Sequence, residues 1–324
     1  MKVDGKLSVW GTAEVVEEAR HHEKAGYDGL WASESKHDPF LPLLLAAEHT
    51  DRLEVGTAIA VAFARSPMQL AHTAHDLQTY SGGRFSMPWN RPAARMREYV
   101  SALRAIWSAW NEGEKLDFRG DFYTHTLMSP FFSPPPSPGG APKVFVAAVG
   151  EAMTRVAGEV ADGLLAHGFT TERYLREVTL PTVELGLERS GRTRGDFSVS
   201  HLLLTATGRT EEELARAIDG TRRQIAFYGS TPAYRGVLEL HGWGELGDEL
   251  NALSKSSRED RWEAMGGLVD DEVLHTFAVV AEPERVAGEI RRRYGSLVDR
   301  VSFYTAYEID AEVWEPIVQE LHGS

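Results

Sequence analysis

The chain contains no cysteine. That absence removes disulfides, thiolate metal sites and a cysteine nucleophile, and it suits a reducing cytoplasm. Positive charge is also short, with 34 Lys and Arg against 48 Asp and Glu and a net charge of −14. A field of this sign opposes nucleic acid and anionic membranes, which call for concentrated basic residues. Long apolar runs are missing too. The longest, around Pro39 to Ala47, is too short to cross a bilayer, and Met1 to Lys6 lacks the apolar core of a signal peptide. The expectation is a cytoplasmic protein with neither a nucleic-acid nor a membrane partner. Among twelve histidines, no His-x-x-x-His or mixed carboxylate set is convincing enough for a metal, so no metal site is expected. The first strand is followed by no Gly-x-Gly-x-x-Gly turn, which argues against an open dinucleotide-binding sheet.

What the chain does have is a repeat of short β-rich runs and amphipathic segments over 324 residues, enough for one large α/β domain or two smaller ones. The pattern predicts strands at Lys6 to Trp10, Asp28 to Ser33, within Arg52 to Phe63, and at Lys143 to Val149. Further strands follow at Gly163 to His167, Phe197 to Thr207 and Val301 to Tyr307. Helices fall between them at Ala13 to Ala25, Pro39 to Thr50, Pro67 to Tyr80, Glu151 to Val160, Thr171 to Arg189 and Glu211 to Phe227, with a last one at Ala311 to Leu321. Repeated strand-helix units with right-handed crossovers build parallel sheets. Seven such strands plus one more make a (β/α)8 TIM barrel, a single domain over residues 1–324 with insertions at about 113–142 and 228–274.

The eighth strand is the difficulty. Ser81-Gly82-Gly83-Arg84 closes a helix and calls for a buried strand, yet helical spacing resumes from Arg91 through Met96, Tyr99, Val100, Leu103, Ile106, Trp107 and Trp110. Phe85 to Pro92 has little room for a strand and a functional loop. The expectation is a fourth strand that is truncated, or a segment absent from this chain.

Gly26-Tyr27-Asp28-Gly29-Leu30-Trp31 with Glu34, Gly56-Thr57, Pro67, Ser81-Gly82-Gly83-Arg84-Phe85, and Gly150 through Ala157 to Ala161-Asp162-Gly163 occur in the order found in luciferase-like monooxygenases. The chain resembles that family, most closely its F420-dependent branch. The resemblance implies a barrel that holds coenzyme F420, or alternatively FMN, at the carboxy-terminal ends of its strands. It also implies a non-prolyl cis peptide under the cofactor ring at Ala58-Ile59, a functional acid and histidine at Glu34 and His37, and a homodimer.

The residues themselves offer matching chemistry. Glu34-Ser35-Lys36-His37-Asp38 follows the second strand, where a barrel carries its active site, and a histidine there can donate or accept a proton. The competing reading has Glu34 capping the next helix, His37 packed on Trp31 and Asp38 starting the helix. Ala148, Val149, Gly150 and Glu151 pass from a strand into a helix start, where small residues and free amides suit a phosphate, or where Gly150 simply turns the chain. Thr170 offers a hydroxyl in the loop after the sixth strand, while Thr171 suits a helix cap and His167 a satisfied strand position. Trp89 and Trp243 are candidate pocket walls, His21-His22 an exposed helix face, and Arg291-Arg292-Arg293 a solvated one. Three functions remain: an F420-dependent oxidoreductase acting on a small organic substrate, an FMN-dependent monooxygenase, and a non-catalytic flavin or deazaflavin binder.

Overall fold

A computed structural model describes residues 1–34, 37–60, 65–89 and 93–323, with backbone only for 87–89. Among them, eight parallel strands carry the strand-helix repeat of a (β/α)8 barrel. These are β1 (Lys2–Lys6), β2 (Gly29–Ala32), β3 (Glu54–Thr57), β4 (Phe85–Trp89), β5 (Lys143–Ala148), β6 (Gly163–Ala166), β7 (Ser198–Ala206) and β8 (Arg300–Tyr304). The main helices are α1 (Thr12–Ala25), α2 (Phe40–Glu48), α3 (Pro67–Tyr80), α4 (Ala93–Asn111), α5 (Glu151–Val160), α6 (Leu180–Arg189), α7 (Glu211–Gly229), α8 (Pro283–Tyr294) and α9 (Trp314–His322).

The chain forms two compact units, one of Asp4–Leu165 with Thr182–Ser198, the other of Met1–Val3, Ala166–Pro181 and Val199–Ser324. In the first, the sheet runs β1-β2-β3-β4-β5-β6. Leu30, Trp31 and Ala32 of β2 lie opposite Val55, Gly56 and Thr57 of β3. Gly56 is required there, because a Cβ would stand 2.4 Å from the Trp31 ring and 2.6 Å from the Ser86 carbonyl oxygen. Trp107 and Trp110 are core residues of α4, as their helical spacing predicts.

The fourth strand is present, which corrects the expectation of a truncation. Gly82 and Gly83 both adopt positive φ, 63° and 92°, and end α3 as the sequence indicates. Arg84 then donates to the carbonyls of Ser81, Leu53 and Ala47 at 2.7, 2.7 and 2.9 Å, tying the turn to β3 and α2. β4 pairs with β3 at Phe85 and Ser86, and with β5 from Ser86 to Trp89. Pro88 conceals the strand from sequence reading. It falls where the ladder to β3 has ended, so its missing N–H costs less than it would in a strand paired on both sides. Asn90, Arg91, Pro92 and the Trp89 side chain lie outside the described residues, as do Lys36 and Phe63.

β1 begins earlier than expected, at Lys2 rather than Lys6. Its central residue Asp4 is only 1% exposed, and a buried carboxylate breaks the hydropathy signal of the strand. His22 is also half-buried, packing edge-on to Tyr27 at 4.8 Å and close above Gly5, and burial lowers its pKa.

In the second unit, β7 pairs with β8 over Ser200 to Leu204 and with a two-residue strand at Val279–Val280. The expected insertion at 228–274 is helical, with Leu238, Leu250, Met265 and Leu274 joining Phe169 and Ile225 in one buried cluster. Trp243, stacked on His241 at 4.8 Å, packs against that cluster. The predicted helix from Thr171 is interrupted by a π-helical turn at Leu175–Thr179, just before Pro181, whose ring nitrogen has no proton to donate to the preceding turn. Arg293 departs from the expected solvated face. It is 6% exposed and donates to the Ala278 and Thr276 carbonyls at 2.7 Å each, supplying donors to a helix end and the chain after it.

Candidate active site

β2 and β3 end side by side, and the chain beyond them is tied together by short hydrogen bonds. The Ala58 N–H donates to the Ala32 carbonyl at 2.7 Å, and the Glu34 N–H to the Ile59 carbonyl at 2.9 Å. The Ser33 hydroxyl donates to the Ala58 carbonyl at 2.8 Å. Between these anchors the Ala58-Ile59 peptide is cis, at the position the resemblance gives for it. The adjoining Thr57 hydroxyl is fully buried with no hydrogen-bond partner among the described residues.

Among the described residues, Glu34 caps no helix. Its carboxylate accepts from Arg65 Nη1 at 2.8 and 3.1 Å, while Arg65 Nη2 donates to Asp38 at 2.9 Å. The guanidinium also lies 5.1 Å over the Phe40 ring, and the Arg65 carbonyl accepts from Tyr99 at 3.2 Å. One cation thus joins two acids from the β2 loop and stacks on the helix they precede. Asp38 starts that helix as predicted, accepting from the Phe40 N–H at 2.9 Å. His37 packs on Trp10 at 5.0 Å rather than on Trp31, and stays exposed.

Arg65, Ser33 and Trp10 escape sequence reasoning. Arg65 lies 31 residues from Glu34, and nothing in the spacing couples them. The only local signal near it is the capping box of Ser66 and Gln69 with Pro67, which opens α3.

At the end of β5, Ala148 is buried, Val149 half-buried, and Gly150 and Glu151 exposed. Gly150 is the N-cap of α5 with no side-chain cap, so the first amides of the helix are left to solvent or ligand. A Cβ on Gly150 would meet no atom within 4 Å, and its φ of −93° suits any residue. The glycine therefore answers to neither strain nor packing within the described chain.

In the second unit, the loop after β6 contains an aromatic cage. His167 stacks on Tyr234 at 4.7 Å and meets Tyr228 edge-on at 4.7 Å. Its Nδ1 accepts from the Phe169 N–H at 3.0 Å, which leaves the neutral ring's proton on Nε2, 3.3 Å from the Tyr234 hydroxyl. Burial lowers its pKa to about 4. Thr171 caps the following helix, as expected, accepting from the Tyr174 N–H at 3.1 Å. Thr170 is 5% exposed, and its hydroxyl has no hydrogen-bond partner among the described residues.

Residues 4–87 and 85–300 match the sequence profile of the luciferase-like monooxygenases. The chain belongs to that family. It is 55% identical over 317 residues to an uncharacterized protein of Mycobacterium tuberculosis, covering 93% of this chain and 92% of the relative. It is 29% identical over 231 residues to an F420-dependent glucose-6-phosphate dehydrogenase of Intrasporangium calvum, covering 61% and 67%. Among solved structures, the coenzyme F420 dependent tetrahydromethanopterin reductase from Methanopyrus kandleri superposes with a TM-score of 0.81 at 19% identity, covering 99% of this chain and 98% of that one. Among the described residues no set of three or more His, Asp or Glu side chains is placed to hold a metal ion. No helix among them is long and apolar enough to cross a membrane.

Proposed function

We propose that this chain is an oxidoreductase that uses coenzyme F420 to move a hydride to or from a small organic substrate. The observation that carries the reading is the start of α5, where uncapped amides and the open space at Gly150 fit a phosphate-bearing cofactor. The names of the Intrasporangium relative and the Methanopyrus structure favour a deazaflavin, while the family's own name keeps FMN as the alternative. When bound, the deazaflavin supplies the hydride chemistry, and the protein binds, orients and excludes water.

The chain's own residues divide the remaining work. The amides around Gly150 and Glu151 hold the phosphate, with Val149 and Ala148 leaving the approach uncrowded. Ala58 and Ile59 present backbone to the ring, held from behind by Ser33 and Glu34. His37 moves the proton at its imidazole nitrogen, since its ring is exposed while the carboxylate of Glu34 is occupied by Arg65. Glu34 is therefore a positioning residue. The substrate is a small molecule taken from solution, in the cytoplasm.

Equilibrium titration of the protein with F420 and with FMN, each followed by fluorescence, tests the cofactor. F420 is expected to bind at least about tenfold more tightly, a difference of roughly 1.4 kcal/mol. Tight binding of FMN alone sinks the assignment, and F420 binding without redox turnover on any of a panel of alcohols, aldehydes and enones sinks the enzymatic reading.

A further inference from the structure

Within the second unit, the chain after Thr171, the short helix Asp271–Phe277 and α8 enclose a cavity of about 470 Å³. That volume falls among small-molecule sites, which run from roughly 300 to 1,000 Å³. Its wall is ionic. Four arginines line it, Arg173, Arg176, Arg292 and Arg293, against three glutamates, Glu172, Glu177 and Glu289. Guanidiniums outnumber carboxylates here by one, in a chain where Asp and Glu outnumber Lys and Arg by 48 to 34.

The excess falls on Arg293. Arg173 Nε donates to Glu177 at 3.0 Å, Arg176 Nη2 to Glu172 at 2.9 Å, and Arg292 Nε to Glu289 at 2.9 Å, so each exposed arginine has a carboxylate of its own. The buried one does not. Both Nη atoms of Arg293 are spent on the Thr276 and Ala278 carbonyls, and its Nε stands 4.0 Å from Glu172, which Arg176 already binds. Main-chain carbonyls satisfy donors without neutralising a charge, and a buried cation with no anion at hydrogen-bond distance is costly. The cavity beside it has room for that anion. Donors remain as well: among the described residues, Nη1 of Arg176 and Nη1 of Arg292 give to no protein acceptor.

We propose that this cavity binds a compact oxyanion, a phosphate or a pair of carboxylates on a small acidic metabolite, anchored by buried Arg293 and gripped by Arg176 and Arg292 at the rim. Guanidinium forks match the oxygens of both groups and remain charged at every working pH. Glu172 is the built-in competitor, because its carboxylate is shared between Arg176 and Arg293 and a ligand must displace or share it.

Isothermal titration calorimetry of the full chain at low salt tests the proposal, with inorganic phosphate, pyrophosphate, succinate and citrate as separate probes. At least one is expected to bind with a dissociation constant below about 1 mM, and the tightest of them separates a phosphate ligand from a carboxylate one. The double variant Arg176→Gln/Arg292→Gln removes two exposed side chains, so it is expected to keep its circular dichroism spectrum while the dissociation constant rises at least about tenfold. Glu172→Gln is expected to tighten binding by about threefold or more, a direction that a purely structural ion-pair network does not give. Gly150→Val separates this site from the phosphate contact proposed at α5, and is expected to leave these titrations unchanged. Absence of binding by all four probes at about 10 mM overturns the proposal. So does Glu172→Gln without tighter binding, or binding that survives the double variant and is lost in Gly150→Val, which assigns the anion to α5.

Discussion

His37 stands five residues beyond the carboxy-terminal end of β2 and His167 directly after that of β6, and the protein treats them in opposite ways. His37 rests on Trp10 at the edge of an ionic group in which Arg65 binds both Glu34 and Asp38. His167 is enclosed by Tyr228, Tyr234 and Phe169, and burial suppresses its charged form. The loops after two strands of the repeat thus give one histidine beside charges and solvent, and one whose charge is removed. Surroundings, rather than residue type, divide an exposed imidazole from one that burial holds neutral.

The sharpest way to break that contrast is His37→Asn. If this imidazole moves the proton, kcat falls by about 10²-fold or more while the dissociation constant of F420 changes less than threefold. Steady-state kinetics beside a binding titration checks both halves, and an unchanged kcat removes His37 from the mechanism.

For His167 the expected effect is on stability. Its folded pKa is about 4 against an ordinary 6.5, so the unfolded chain takes up a proton below pH 6.5 while the folded chain does not. The stability tied to the neutral ring is full above pH 6.5 and is lost as pH falls toward 4, by about 3 kcal/mol. Urea unfolding between pH 7 and pH 4 is expected to show this slope added to that of buried His201, whose pKa burial lowers to about 3, and His167→Gln to remove the His167 share. An equal slope in both proteins refutes the burial argument.

Arg65→Met tests what keeps the His37 side of the comparison ordered. Removing the cation leaves Glu34 and Asp38 facing each other without it, and a loss of about tenfold in kcat/KM is expected, partly restored by Arg65→Lys. The smallest change belongs to Gly150→Val. The added side chain enters open space at a φ that valine adopts readily, so stability is expected to stay within about 0.5 kcal/mol. The F420 dissociation constant rises roughly tenfold if a phosphate occupies that space.

Much of this was legible in the chain. Turn glycines, capping residues and hydrophobic periods are local signals, and they locate α3 to the residue and most strands to within two or three. They fail where a tertiary contact overrides composition. Asp4 hides β1 because its carboxylate is buried, Pro88 hides β4 because only the ladder to β5 reaches it, and Arg293 turns inward to donors' partners at Thr276 and Ala278. At the candidate site the residue types were visible, and the resemblance supplied the position of the cis peptide. Their arrangement was not visible: the pairing of Glu34 with Arg65, and of His37 with Trp10, joins residues 31 and 27 positions apart.

By itself, then, the sequence determined which elements form and roughly where they stop, because helix caps, left-handed glycines and side-chain periods act within a few residues of themselves. It also determined the sign of the surface charge, which is a sum over side chains. Only the tertiary structure decided which acids are occupied, which arginine is buried, and which histidine keeps contact with water. Those outcomes depend on the desolvation and pairing of groups far apart in the chain, and no local pattern records who will be the neighbour.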